Sequence, residues 1–130
     1  MGLTIDIGNR ERGVYVICPE GRLDANTVVS FEEKLNPLLV PATKTLILNL
    51  DKLTYLSSAG VRAIFKIRKF LSSRQGTFIM TNLQPQVQKV FEIINALPET
   101  PIFESIEEVD RYLDAIQKKE VEKQDRFSNP

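Results

Sequence analysis

The sequence contains no histidine and a single cysteine among its 130 residues. Without histidine, neither a Ser-His-Asp nor a Cys-His triad can form, and the commonest transition-metal ligand is missing. The lone Cys18 excludes an internal disulfide and a multi-cysteine metal site, and its apolar neighbours in "VYVICP" predict a buried core thiol. We therefore expect no enzymatic activity, no metal and no cofactor.

The sequence also lacks an excess of either charge, because 17 basic residues balance 17 acidic ones. The absence of a net positive field argues against direct binding of nucleic acid through its phosphate backbone. No run of eighteen apolar residues occurs, and the start "MGLTIDIGNRERG" lacks a basic region followed by an apolar segment. We expect a cytoplasmic protein without a signal peptide or membrane insertion.

What the chain does contain fits one soluble domain, with 42% hydrophobic and 26% charged residues. Its last stretch, "KKEVEKQDRFSNP", has little apolar content. We place the domain at residues 1–117 and predict a polar tail at 118–130 that is frayed or disordered.

Apolar runs predict the strands. "LTIDI" and "VYVICP" form a hairpin through the polar "GNRERG", whereas "TLILNL" at 45–50 and "GTFIMT" at 76–81 suit strands that are covered on both faces. A final short strand is expected at 101–103. The stretch at 50–65, "LDKLTYLSSAGVRAIF", leads from an apolar strand through two serines into an amphipathic helix.

Helical spacing of apolar residues predicts three helices between these strands, and "SIEE" at 105–108 matches a capping box that opens a fourth. Strand and helix alternation implies right-handed crossovers. We therefore expect an α/β domain with a mainly parallel mixed sheet, an antiparallel N-terminal edge strand and about four helices. The apolar positions are Val28, Phe31, Leu35, Leu38 and Leu39; Val61, Ile64, Phe65 and Leu71; Val87, Val90, Phe91 and Ile94; and Ile106, Val109, Leu113 and Ile116.

Ser57 and Ser58 stand at the predicted start of the second helix. A serine there can accept an unpaired backbone N–H, so one of the pair needs no functional explanation, while the other is a candidate site of chemistry. The motif "SSAG" is neither a nucleophile elbow nor a P-loop. Ala59 and Gly60 remove bulk, which we expect to leave the Ser58 hydroxyl accessible; Gly60 fits either a tight helix start or a close backbone approach.

Two further features accompany the serines. Asp24 in "PEGRLDANT" lies where the second strand gives way to the first helix, so it can cap that helix, the favoured role, or contact a partner. Arg62, Lys66 and Lys69 share a helix face that is either a docking stripe or ordinary solvated surface. Because the carboxyl ends of parallel strands share one rim, "RLDANT" and "LSSAG" are expected to be neighbours.

The stretch "DKLTYLSSAGVRAI" resembles the signature of the STAS family, and specifically its bacterial anti-sigma factor antagonists. "GRLDANT" after the second strand and "NLQPQVQKVFEIINAL" after the fourth follow in the family's order, so the resemblance spans residues 3–116. In such antagonists the serine before the small residue and glycine, which matches Ser58, is phosphorylated by a kinase that is itself the anti-sigma factor. Many relatives carry Asp before that serine; this chain has Ser57, which leaves Ser57 as the second choice.

The resemblance implies a switch rather than an enzyme. The unphosphorylated form would bind the kinase and release sigma factor, and a metal-dependent serine phosphatase would restore it. Other STAS domains are non-catalytic subunits of lipid-transport ATPase complexes or modules of larger signalling assemblies, and these stay as alternatives. The oligomeric state is open, with a homodimer among the choices. The predicted partner-binding residues are Arg22, Asp24, Asn26, Ser57, Ser58, Ala59, Gly60 and Arg62.

Overall fold

The computed structural model describes residues 2–96 and 106–128, and this part of the chain opens with a β-hairpin. Strand β1 (Leu3–Glu11) pairs antiparallel with β2 (Val14–Leu23). Gly13 at the turn has φ of 78°, and a Cβ there would lie 2.7 Å from the Ala42 carbonyl oxygen. The hairpin is confirmed, but most of "GNRERG" belongs to β1 because pairing continues as far as Glu11.

Three more strands complete the sheet: β3 (Thr45–Asn49), β4 (Leu53–Leu56) and β5 (Thr77–Thr81). The order is β1-β2-β3-β5, and β4 pairs with the second half of β2; all pairings except β1 with β2 are parallel. The expected mixed sheet is thus confirmed. The apolar pattern of the sequence does not separate β4 from β3, because the turn between them is only three residues long and begins with the buried Leu50.

The four expected helices are present as α1 (Val28–Leu35), α2 (Ser58–Ser73), α3 (Pro85–Ala96) and α4 (Ile106–Ser128). The first is shorter than its apolar spacing predicts. It gives way to a 3-10 helix, Asn36–Leu38, that contains Pro37, and proline lacks the N–H that a longer α-helix would need.

The core lies on one face of the sheet. Leu46 and Leu48 of β3 are buried, as is Ile17 of β2, and the helices contribute Phe31, Ile64, Val90 and Leu113 among others. Side chains alternate along a strand, so Cys18 faces the other way and is half-buried rather than a core thiol. Likewise Ile79 of β5 is 39% exposed, so this edge strand is not covered on both faces as predicted.

Helix α4 continues through residue 128, so the expectation of a frayed or disordered tail is wrong for residues 118–128. The segment has few apolar residues but is rich in Lys, Glu and Gln, which are good helix formers. Lys118 Nζ also lies 3.2 Å from Asp114 Oδ2 one turn earlier. The predicted strand at 101–103 and the capping Ser105 fall outside the described residues. None of the helices within the described ranges has the length and apolarity needed to cross a membrane.

Candidate functional site

The N-terminus of α2 gives the two serines different roles. Ser57 has extended backbone angles, φ −95° and ψ 175°, and its Oγ accepts the Gly60 N–H at 3.4 Å. Its own N–H donates to the Leu23 carbonyl oxygen at 3.0 Å, and the residue is only 4% exposed. Ser57 is therefore the helix cap, and Ser58 is the first residue of the helix.

Ser58 lies against α4. Its backbone N–H donates to Asp110 Oδ1 at 3.0 Å. Its Oγ has less than 1 Å² of accessible surface and no hydrogen-bond partner. The prediction of an accessible hydroxyl is therefore wrong for this conformation: Ala59 and Gly60 do remove bulk, but α4, whose position no local pattern at "SSAG" could indicate, contacts the helix start at Ser58.

Gly60 allows the start of α2 to approach two strands closely. A Cβ at this position would lie 2.7 Å from Leu56 Cδ1 and 2.8 Å from the Leu23 carbonyl oxygen. The structural interpretation of this glycine, a close backbone approach, is confirmed. Ser57 and Gly60 are both buried, and Ala59 is half-buried. Because Ser57 and Gly60 are buried, neither could contact a partner directly without a change of conformation.

The two predicted loops do meet at one rim. Leu23 pairs with Leu56 and Arg22 with Tyr55, which brings the ends of β2 and β4 side by side. The Arg22 guanidinium lies 3.8 Å from the centroid of the Tyr55 ring, and its Nε is 3.6 Å from Asp24 Oδ2. The expectation that "RLDANT" and "LSSAG" are neighbours is thus confirmed.

Asp24 organises the loop that precedes α1. Its Oδ1 accepts the N–H groups of Asn26 at 2.9 Å and of Thr27 at 3.2 Å. Thr27 is the N-cap residue of α1, so Asp24 caps the preceding turn and not the helix, because it stands three residues too early. Asn26 is exposed, and Asp24 is half-buried.

The rim carries several carboxylates close to Tyr55. Burial raises the pKa of the Tyr55 phenol, and the negative charges of Asp114, Asp110 and Asp24 raise it further, while Arg22 acts in the opposite direction. The charge of the whole chain is balanced, but this corner of the molecule is locally acidic.

Two buried glutamines, which no sequence pattern singles out, form hydrogen bonds with the backbone groups at the outer edge of β4. The Gln117 side chain accepts the Leu56 N–H at 2.9 Å and donates to the Leu56 carbonyl oxygen at 2.8 Å. Gln86 donates to the Thr54 carbonyl oxygen at 3.1 Å. Both side chains therefore do what a neighbouring strand would do. The only sequence signal was that Gln117 lies one turn after Leu113 on the apolar side of α4.

The basic face of α2 lies beside this rim. Arg62, Lys66 and Lys69 are exposed, and Lys66 Nζ lies 3.6 Å from Glu32 Oε2 of α1. Within the described ranges, Arg62 and Lys69 have no ion pair. Over the same residues no group of three or more His, Cys, Asp or Glu side chains is placed to hold a metal ion. What the site offers is a rim of loops that carries exposed charges.

The mixed sheet with an antiparallel first strand and the serine-containing start of the second helix beside the end of β2 agree with the resemblance to STAS domains. Residues 9–109 match the STAS domain family, and the chain belongs to that family. It is 31% identical over 107 residues to BtrV of Bordetella bronchiseptica, a protein named provisionally as an anti-sigma factor antagonist; the match covers 82% of this chain and 90% of BtrV. It is 26% identical to the anti-sigma-B factor antagonist of Staphylococcus aureus, with 72% and 85% covered.

Solved structures agree with these relatives. The anti-sigma factor antagonist SpoIIAA in its unphosphorylated form superposes with a TM-score of 0.64 at 27% identity, over 71% of this chain and 81% of that protein. The phosphorylated form of the same Bacillus cell fate determinant gives a TM-score of 0.60 at 26% identity, over 70% and 83%. The expected family and fold are confirmed.

Proposed function

We propose that this chain is an anti-sigma factor antagonist whose binding to a kinase is controlled by phosphorylation of Ser58. The observation that carries the proposal is the division of roles at the start of α2: Ser57 caps the helix, so Ser58 is free of that task. Ser58 also lies beside the "RLDANT" loop through the pairing of Leu23 with Leu56. A relative of similar fold, SpoIIAA, exists in phosphorylated and unphosphorylated forms.

The chemistry belongs to the partners. The anti-sigma factor kinase transfers the γ-phosphoryl group of ATP to Ser58 Oγ: an O–P bond forms, the bond to the β-phosphate breaks, ADP leaves, and the hydroxyl proton passes to a base of the kinase. A metal-dependent serine phosphatase reverses the modification with water. This chain is then a cytoplasmic substrate and not an enzyme.

Phosphorylation would change the charge of the rim and leave the sheet and the core in place. A phosphate on Ser58 would stand at the N-terminus of α2, where the helix dipole favours an anion. A kinase surface that packs on this rim would have to desolvate about −1.5 to −2 charges that were absent before, which disfavours docking. The unphosphorylated chain binds the kinase and releases sigma factor; the phosphorylated chain does not.

The test is incubation of the full chain with ATP and an anti-sigma factor kinase encoded in the same genome, followed by mass spectrometry. We expect phosphate on Ser58, none in Ser58→Ala, and full modification of Ser57→Ala that remains folded. Calorimetry should show kinase binding by the unphosphorylated chain alone. Phosphate confined to Ser57, or equal binding of both forms, would overturn the proposal. Recovery of a permease and its ATPase in a pull-down would favour a transport subunit instead.

A further inference from the structure

Helix α4 contacts the start of α2 at Ser58, the proposed phosphate acceptor. The Ser58 hydroxyl oxygen has less than 1 Å² of accessible surface, so a kinase cannot bring the phosphoryl group of ATP into line with it in this conformation. The oxygen also lacks a hydrogen-bond partner, which makes the arrangement unfavourable for a polar group. Something must move before Ser58 can react.

Helix α4 supplies hydrogen bonds to the segment 56–58. Asp110, Leu113 and Gln117 lie on one side of that helix, three and four residues apart. Asp110 accepts the Ser58 N–H at 3.0 Å, and Gln117 makes two hydrogen bonds to the backbone of Leu56. Leu113 between them is buried. These residues hold α4 across the segment 56–58.

Helix α4 also packs along α3, but of its side chains that the structure describes only Leu113 and Gln117 are fully buried. A cleft of about 320 Å³ lies beside it, lined by Arg22 and Tyr55 from the rim and by Asp114 and Lys118 from α4, among others. Beyond Gln117 the helix is largely polar, and Val121 is 39% exposed. A helix held by few buried contacts opens locally more readily than the core does.

A phosphate on Ser58 would compete for the place that Asp110 occupies. The Asp110 carboxylate already accepts a backbone N–H at the start of α2, where an anion is favoured by the helix dipole. A phosphoserine dianion brings three acceptor oxygens to the same place and repels the carboxylate, with Asp114 and Asp24 adding negative charge near Tyr55. The phosphate and the Asp110 carboxylate therefore cannot occupy this position at the same time.

We propose that α4 is a cover for Ser58: it hides the hydroxyl in the unphosphorylated chain and is displaced when a phosphate on Ser58 takes the position of the Asp110 carboxylate. The proposal rests on the proposed function in one respect, that Ser58 is the acceptor. Because coupling is reciprocal, anything that loosens α4 also exposes Ser58. The covered state is therefore the slow substrate of the kinase.

The first test measures access to position 58 without any kinase. In a Cys18→Ala background, Ser58→Cys is alkylated with iodoacetamide with and without Gln117→Ala, and circular dichroism confirms folding. Loss of the Gln117 bonds should speed alkylation about tenfold. Gln88→Ala is the matched control, since the side chain of this exposed glutamine donates to Glu92 of its own helix at 3.5 Å; it should leave the rate unchanged. Equal rates in all three proteins would overturn the cover. Asp110→Ala provides a second, milder release if Gln117→Ala does not fold.

The second test measures displacement by the phosphate itself. Phosphoserine is incorporated during translation in place of Ser58 or, as a control, in place of Ser30, which is exposed on α1. Hydrogen exchange over residues 107–117 should accelerate about tenfold for the first protein and not for the second. Unchanged protection of α4 would overturn the cover. If α4 stays protected but the phosphorylated chain fails to bind the kinase, the proposed function holds and the proposal of a cover is wrong. If α4 is displaced but kinase binding is unchanged, the cover holds and the proposed function is wrong.

Discussion

Ser57 and Ser58 are adjacent, yet alanine should lower stability at Ser57 and not at Ser58. Ser57 Oγ accepts the Gly60 N–H, so Ser57→Ala should lower the free energy of unfolding by about 0.5–2 kcal/mol. Ser58 Oγ is buried without a partner, so Ser58→Ala removes an unsatisfied hydroxyl and adds a better helix former. We expect Ser58→Ala to be neutral or stabilising by up to about 1 kcal/mol.

Urea denaturation of both variants beside the wild type checks this assignment. Matched slopes with shifted midpoints would show that only stability has changed. If Ser58→Ala were the more destabilised variant, the capping role would belong to Ser58, and the separation of cap and acceptor would be lost.

Tyr55 gives the rim a measurable pH dependence. Burial and the neighbouring carboxylates raise its pKa, so the folded state favours the neutral phenol. The resulting stability is fully present below the unfolded pKa of about 10 and is lost as pH rises through the higher folded pKa. The free energy of unfolding should therefore fall more steeply above about pH 10 in the wild type than in Tyr55→Phe. If the free energy of unfolding changed with pH in the same way in both proteins, the raised pKa of Tyr55 would be contradicted.

At the scale of elements, the start of α2 is fixed by its distance to β2 and β4. Gly60→Ala would place a Cβ 2.8 Å from the Leu23 carbonyl oxygen, and backbone cannot yield as a flexible side chain can. We expect a loss of about 1–3 kcal/mol in the free energy of unfolding, as for other overpacked sites. Gly8→Ala is the matched control, because a Cβ there meets nothing within 4 Å. Thermal melts that shift equally for both glycines would rule out the packing explanation.

Local patterns predict elements well and their mutual placement poorly. The hairpin, strands β3 and β5 and the four helices follow from the spacing of apolar residues, whereas β4 does not; the meeting of the two rim loops follows from the topology. The position of α4 does not, because it depends on Gln117 and Asp110 finding backbone groups 61 and 52 residues away. A glutamine within a polar helix gives no sign that it will replace a strand partner. The burial of the Ser58 hydroxyl therefore could not be anticipated from "SSAG".

At the scale of the whole molecule, balanced charge conceals an uneven distribution. Helix α2 carries no acidic residue, and Arg62 and Lys69 project from it. The neighbouring corner around Tyr55 is acidic through Asp24, Asp110 and Asp114. A phosphate on Ser58 would add negative charge between these regions. The basic face of α2 can therefore attract an acidic partner, and the charge state of Ser58 can decide whether that partner binds.

Arg62 should accordingly influence how fast the kinase binds more than how long it stays bound. An exposed charge acts mainly by steering, so Arg62→Glu should lower the association rate about tenfold at low salt and weaken its dependence on ionic strength. The melting temperature should not change, because Arg62 has no ion pair among the described residues. Arg10→Glu is the matched control: this exposed arginine lies near the hairpin turn, at the other end of β2 from the rim. Stopped-flow measurement of the association rate at several salt concentrations compares the two variants. Equal effects of both substitutions would show that the kinase responds to overall charge and not to the basic face of α2.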